Sequence, residues 1–355
     1  MRVGIIAPPW LTVPPGAYGG TESVIDNLAR GLHRSGHTVR LFTVGDSTCP
    51  VGRRFFYRRA AEPMGDSLAE AAHVAAAYEA LDDVDIIHDH TVVGPLVARR
   101  FLTRRIPVVV TWHAPFDLAA KRLLTSVAGW CRIVAISQAH ARSAGPVPVF
   151  AVVPHGVDLE TYRPGPGGGG YLAFVGRMCA DKGVHRAIRV AKAAGRPLRI
   201  VTKMHSEAEH DYFERAVRPL LDAGDEPPVE LPLAERVELL RHADGLLDPI
   251  RWPEPFGLVM AEALAAGTPV LAFPFGAAPE IVDDGRTGYL CPSEAGMAAA
   301  VGRLADIDRA ACRRAAEQRF SAERMAADYV RLYEQVTNGR PAPTRTGGEL
   351  AGRPG

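Results

Sequence analysis

Glu254 and Glu262 stand in WPEPFGLVMAEALAAGT (252–268), separated by seven residues and set in opposite surroundings. Pro253 and Pro255 exclude helix around the first, while Phe256 to Ala266 carries helix formers and close-packing alanines. Gly267 and then Pro269 end that helix, and VLAF resumes as a strand. Glu254 therefore precedes a helix N-terminus, whose free N–H groups and partial positive charge attract anions. Glu262 lies nearly two turns inside, flanked by Met260, Ala261, Ala263 and Leu264. Carboxylates beside such a helix end suit a ligand rich in hydroxyls and carrying a negative group. The competing reading of Glu262 is a solvent-facing acid or a cap for a neighbour.

Other chemistry-bearing residues fall where strands end. Arg177 follows FVG, and Asp181-Lys182-Gly183 leads from it into a helix. A planar guanidinium fork, a point-charge ammonium and helix N–H groups together make a diphosphate clamp. Gly19 and Gly20 precede another helix and allow a ligand close to the backbone. His113 in VVVTWHAPF follows a strand directly and can exchange hydrogen bonds with a ligand hydroxyl. His88-Asp89-His90 also closes a strand, but its spacing offers no full metal-ligand set. Asp83-Val84-Asp85 precedes its strand, the wrong end of a parallel sheet for a ligand. GxGxxG and GxxxxGK[ST] are both missing, which removes nicotinamide, flavin and ATPase-type phosphate loops.

The elements that must hold these residues alternate along the chain. Runs rich in β-branched residues at 3–7, 38–44, 84–88, 107–111, 131–136 and 149–153 predict strands, with helices at 22–34 and 68–81 between them. After a glycine- and proline-rich stretch the alternation restarts. Strands are expected at 171–176, 197–202, 244–250, 269–273 and 288–291, with helices at 183–194, 208–222, 234–242 and 256–266. Alternation means parallel, doubly wound α/β sheets, which bind ligands beyond their strands' carboxyl ends. The expected organisation is a first domain over 1–158, a linker over 159–170, a second domain over 171–336 with an amphipathic final helix, and a disordered tail over 337–355.

Composition narrows the class. A 355-residue chain is long enough for two domains, and 47% hydrophobic content supplies two cores. A net charge of +1 gives no electrostatic case for nucleic acid. Five scattered cysteines without CxxC spacing fit reduced thiols. The short N-terminal apolar run is too short for a signal peptide, and no run reaches membrane-spanning length, so a cytoplasmic protein is expected.

In order and spacing, the chain resembles the retaining family 4 glycosyltransferases, which have the GT-B fold of two facing Rossmann-like domains. The resemblance runs through YGGTE (18–22), VDIIHDH (84–90), VTWH (110–113), VPHGVD (153–158), FVGRMCADKGVHRAI (174–188), EPFGLVMAE (254–262) and PEIVDDGRTGYL (279–290). It implies that Arg177 and Lys182 bind the donor diphosphate beside Gly19 and Gly20. Glu254 and the backbone of Phe256, Gly257 and Leu258 would hold the donor sugar, Glu262 the ribose, and His113 the cleft beside the transferred sugar. His113, Arg177, Lys182 and Glu254 are thus the expected catalytic group, with no cofactor and no metal. The expected reaction moves a hexosyl group from a UDP-sugar, UDP-glucose or UDP-N-acetylglucosamine, to a small-molecule acceptor, as in antibiotic biosynthesis.

Two departures stand out: PPVELPLAERVELL (227–240) is shortened where the family often contacts the nucleobase, and Lys203 replaces a common glycine. The alternatives are a GDP-sugar enzyme acting on a polysaccharide or lipid-linked acceptor, and a non-catalytic nucleotide-sugar-binding protein. An epimerase or a phosphorylase shares the architecture, but the paired glutamates and EPFG favour transfer.

Overall fold

The computed structural model describes residues 1–16, 19–102 and 104–339. Tyr18 of the YGGTE marker and most of the expected tail lie outside them. The chain forms two wholly parallel sheets. The first has seven strands: β1 (Arg2–Ile6), β2 (Thr38–Thr43), β3 (Gly52–Phe55), β4 (Ile86–Asp89), β5 (Val108–Thr111), β6 (Cys131–Ala135) and β7 (Val149–Val152), in the order β3-β2-β1-β4-β5-β6-β7. The second has five: β8 (Leu172–Arg177), β9 (Leu198–Lys203), β10 (Gly245–Asp248), β11 (Val270–Ala272) and β12 (Gly288–Leu290), in the order β12-β11-β10-β8-β9. Helices cover both faces of such sheets, which is why the central strands are continuously apolar. The strand order reverses between β1 and β4 in one sheet and between β8 and β10 in the other, and a doubly wound sheet opens a crevice at that reversal.

Three differences from the sequence reading have local causes. Strand β3, GRRF, carries no apolar alternation because all four residues are exposed at the sheet edge, so period gave no signal. The helix expected over 208–222 is broken: Glu207–Tyr212 is α-helical, Phe213–Val217 widens to π and Arg218–Leu220 tightens to 3-10. Pro219, which has no N–H to give an α-helical ladder, sits in that last turn. The helix expected from Phe256 begins at Leu258, because Gly257 caps it in the left-handed region at φ 99. Glu262 is therefore little more than one turn in. The glycine-rich stretch is tied to the second sheet's helices, with Gly165, Gly167 and Gly169 donating backbone hydrogen bonds to Ala266, Arg241 and His242.

The chain crosses between the sheets twice, and the crossings are paired. Val157 donates to the Phe320 carbonyl and Ala322 to that of Val157. The helix Ala322–Thr337 then returns to the first sheet, where Met325, Ala326, Tyr329, Leu332 and Tyr333 complete its core beside the helix Gly20–Arg34. Its tyrosines also enter a polar seam: Tyr333 Oη lies 2.6 Å from His88 Nδ1, and Tyr329 Oη lies 2.7 Å from Thr111 Oγ1. Gly31 makes the helix crossing close, since a Cβ there would sit 2.8 Å from Ala326 Cβ. Overpacking such a contact costs about 1–3 kcal/mol. Gly31→Val should therefore lower stability by about that amount in urea unfolding, and a midpoint equal to wild type would show that the helices can spread apart.

Candidate active site between the two sheets

Three helices that start beyond the carboxyl ends of strands share an unusual beginning. Gly20–Arg34, Val184–Ala193 and Leu258–Ala265 have glycine N-caps, Gly19, Gly183 and Gly257, with no side-chain cap. Elsewhere Asp66, Asp117, Ser293 and Ser321 cap their helices with side-chain oxygens. A capping oxygen satisfies one of the first N–H groups, and its omission leaves the positive helix end open to a ligand, although Tyr212 Oη takes the His185 N–H at 3.5 Å and Glu22 takes its own. Gly183 and Gly257 have positive φ, 78 and 99, and bring the chain into the helix by a sharp turn.

A cavity of about 1350 Å³ opens between the sheets. Gly19, Gly20 and His113 line it from the first half, and Arg177 and Lys203 from the second. Arg177 and Lys203 are register partners at the ends of neighbouring strands, so two cations stand side by side opposite the glycine-capped helix. Glu22, in the first turn of that helix, also lines the cavity, and burial raises its pKa against the opposing pull of its own backbone N–H and Lys203. Trp10, Leu11, Met64 and Val92 give the first-half wall an apolar character.

Lys182 and Glu254 do not line this cavity; they form an ion pair, with side chains 14% and 15% exposed. Glu254 is held by its backbone. Ala277 donates to its carbonyl, and Gly276 lies so close that a Cβ would meet Glu254 N and O at 2.4 Å. The next turn is anchored from the first half, where Ser137 Oγ donates to the Pro255 carbonyl at 2.7 Å. Glu254 Oε1 takes the ammonium, while Oε2 is buried with no hydrogen-bond partner among the described residues. A buried acceptor left unmatched costs about 1–3 kcal/mol. Such an atom fits a ligand that donates to it.

Asp248, which the sequence reading passed over, closes the group. It ends β10, is buried, and its pKa is pushed up to about 7 by burial and then by the charge of Glu254, with Lys182 pulling the other way. Its signal was available in DGLLDPI, an acid at the carboxyl end of a strand in a ligand-binding sheet. Phe256 packs edge-on against His155 and Phe320, at 5.1 and 5.9 Å between rings. Gly257 caps the helix that Leu258 begins. Glu262 is buried and hydrogen-bonded to Tyr162, which also accepts from Arg236 at 3.2 Å. Burial raises its pKa, opposed by Arg236.

The histidines form a stack. His90 Nδ1 lies 2.9 Å from His113 Nε2, and the rings of His113 and His155 are 5.1 Å apart and 24° from parallel. Burial is the first cause that lowers the pKa of each, to about 3 for His113. Asp89 between His88 and His90 is structural: it accepts from Tyr78 Oη, Thr91 N and Thr91 Oγ1. The acids of Asp83-Val84-Asp85 pair with Arg40 and Arg2 at the amino end of the sheet.

The family model described as Glycosyltransferase Family 4 matches residues 18–161, and Glycosyl transferases group 1 matches 169–306. A glycogen synthase of Mycobacterium tuberculosis is 33% identical over 197 residues, 51% of this chain and 45% of that protein. The chain thus spans about half the length of that relative. A phosphatidyl-myo-inositol mannosyltransferase of the same organism is 25% identical over 95% of this chain and 97% of its own. Among solved structures, AviGT4, a glycosyltransferase involved in avilamycin A biosynthesis, superposes with a TM-score of 0.73 at 23% identity, covering 96% and 99% of the two chains. Anabaena HepE in complex with UDP and glucose gives 0.73 at 18%, covering 94% and 100%. Both likenesses establish the two-sheet fold. Among the described residues no helix is long and apolar enough to cross a membrane.

The raised pKa of Asp248 has a definite sign. An unfolded aspartate loses its proton near pH 4, whereas the folded one keeps it to about pH 7. The folded chain binds the extra proton across that window, so this group's contribution to stability declines as pH rises through it. Asp248→Asn stays neutral and removes the decline. Its melting temperature relative to wild type should rise between about pH 5 and about pH 8. A constant difference across that range would show a carboxylate already ionised in the fold.

Proposed function

Because this chain belongs to the glycosyltransferases that join a Glycosyltransferase Family 4 domain to a Glycosyl transferases group 1 domain, we propose that it moves a hexosyl group from a nucleotide-diphosphate sugar to a small-molecule acceptor, with retained anomeric configuration. The observation that carries this reading is Glu254, with one oxygen on Lys182 and the other buried and unmatched, beside an uncapped helix N-terminus. A sugar hydroxyl matches the unmatched oxygen, and a diphosphate matches the cations and helix ends. Diphosphate oxygens would compete with Glu254 for the Lys182 ammonium, so donor binding would free the carboxylate for the sugar.

In the proposed step the bond from the anomeric carbon to the diphosphate oxygen breaks as the acceptor oxygen bonds on the same face. The acceptor's proton passes to the departing diphosphate. Arg177, Lys182 and the ends of the helices capped by Gly19, Gly183 and Gly257 stabilise the charge that develops there, a term that ordinarily dominates such reactions. His113 stands at the cavity wall beside the acceptor side. Glu254 orients the sugar through hydrogen bonds rather than as a nucleophile. Glu262 would receive the ribose hydroxyls once Tyr162 yields. A uridine donor is the preferred reading, in keeping with HepE, whose structure holds UDP and glucose. The apolar wall formed by Trp10, Leu11, Met64 and Val92 suits an acceptor with an apolar body.

Calorimetric titration with UDP-, GDP-, ADP- and dTDP-sugars, in EDTA, tests the reading. Selective binding of a UDP-sugar with slow hydrolysis is expected, and binding to none would overturn it. Lys182→Ala should lower kcat by on the order of 100-fold, with a smaller change in donor Kd. Glu262→Ala should weaken donor binding about tenfold, the worth of a lost buried hydrogen bond, and an unchanged Kd would remove the ribose assignment.

A further inference from the structure

His90 and His113 share one hydrogen bond and are both neutral, and the surroundings of His90 decide who donates. A neutral imidazole carries a single N–H. If His113 Nε2 carried the shared proton, His90 Nδ1 would accept, and the only proton of His90 would sit on Nε2. That nitrogen is buried and has no partner among the described residues. A buried N–H without an acceptor is among the rarest features of folded proteins, more so than an under-used acceptor. If His90 Nδ1 carries the proton instead, Nε2 is a bare lone pair and His113 Nε2 accepts at 2.9 Å. The proton of His113 then resides on Nδ1.

We infer that His90 is a positioning residue that fixes His113 as its Nδ1–H tautomer, so that His113 offers the cavity a hydrogen-bond donor and not a base. His90 is well placed for this. Its backbone N–H donates to Ile6 at 3.0 Å, and its ring lies 4.1 Å from that of His88, which is fixed by Thr111 and Tyr333 at 2.7 and 2.6 Å. His113 also stacks against His155, with ring centres 5.1 Å apart. Burial keeps both rings of the shared bond unprotonated at neutral pH. The catalytic meaning rests on the proposed transfer: a donor at this position steadies a sugar or acceptor oxygen. Deprotonation of the acceptor is left to the diphosphate.

The ring state can be read without turnover. In the full chain labelled with nitrogen-15 histidine, two-bond proton–nitrogen correlations report which nitrogen is protonated, and His113→Asn identifies the His113 signals. An Nδ1–H on His113 is expected, and an Nε2–H would overturn the assignment. His90→Asn keeps an amide N–H where the ring offered Nδ1–H, whereas His90→Leu removes it. With the donor found by titration, His90→Leu should lose about tenfold in kcat with donor KM within about twofold, and His90→Asn should restore most of it. Equal losses in both variants, or a His113 spectrum unchanged in His90→Leu, would overturn the positioning role. Absence of transfer with every donor would remove the proposed function and leave the tautomer reading standing.

Discussion

Three helix starts with glycine in place of a capping side chain organise this molecule. Most of its helices end their polar debt locally, with an aspartate or serine one residue before the first turn. At Gly19, Gly183 and Gly257 the chain supplies no such oxygen. Three positive helix ends collected at the carboxyl edges of two parallel sheets leave a local demand for anions. Arg177, Lys182 and Lys203 add to the demand, and Glu254 meets part of it through Lys182. Asp248 cannot meet more, because burial and then the neighbouring charge of Glu254 push its carboxyl toward protonation. Glu22, Glu62, Glu70 and Glu209 also line the cavity, so where the two sheets face each other these cations and helix ends stand among acids held at other points of the wall.

The protein manages this demand by rigid support rather than by covering it. Gly276 presses on the Glu254 backbone, Ser137 reaches over from the first half to the Pro255 carbonyl, and Glu280 takes the amides of Gln138 and Ala139 at 2.8 and 2.5 Å. That last contact is instructive. The helix Gln138–Ser143 is capped both by its own Ser137 and by a carboxylate from the other half. Capping of one domain's helix by the other domain's acid sets their approach through ordinary secondary-structure chemistry.

Much of this was legible in the sequence, and the reasons separate by physics. Parallel sheets announce themselves because strands buried on both faces must be continuously apolar, so β1, β5, β8 and β11 are plain from VGII, VVVT, LAFVG and VLA. Cations after a strand, as at Arg177 and Lys182, are visible for the same reason. Strand β3 was hidden because an exposed edge has no burial pattern. Asp248 was overlooked because one acid at a strand end is common, and its meaning comes from the charge of Glu254 and from Lys182, which is remote in sequence. The pairing of His90 with His113 links strands 23 residues apart. Spacing placed His88 and His90 on one side of a strand, but which ring meets which neighbour is a property of packing.

The last described helix makes the chain's order of synthesis matter. Residues 2–152 contain every strand of the first sheet, yet one face of that sheet is completed by Met325, Tyr329, Leu332 and Tyr333, and His88 receives a polar partner from Tyr333. A ribosome delivers the amino-terminal half first, and domains ordinarily fold as they emerge. Here the first sheet stays open on that face, with Val24, Leu28 and Leu32 lacking their facing side chains, until translation has passed residue 333. The amino-terminal half therefore cannot complete its native packing before that last helix has been made.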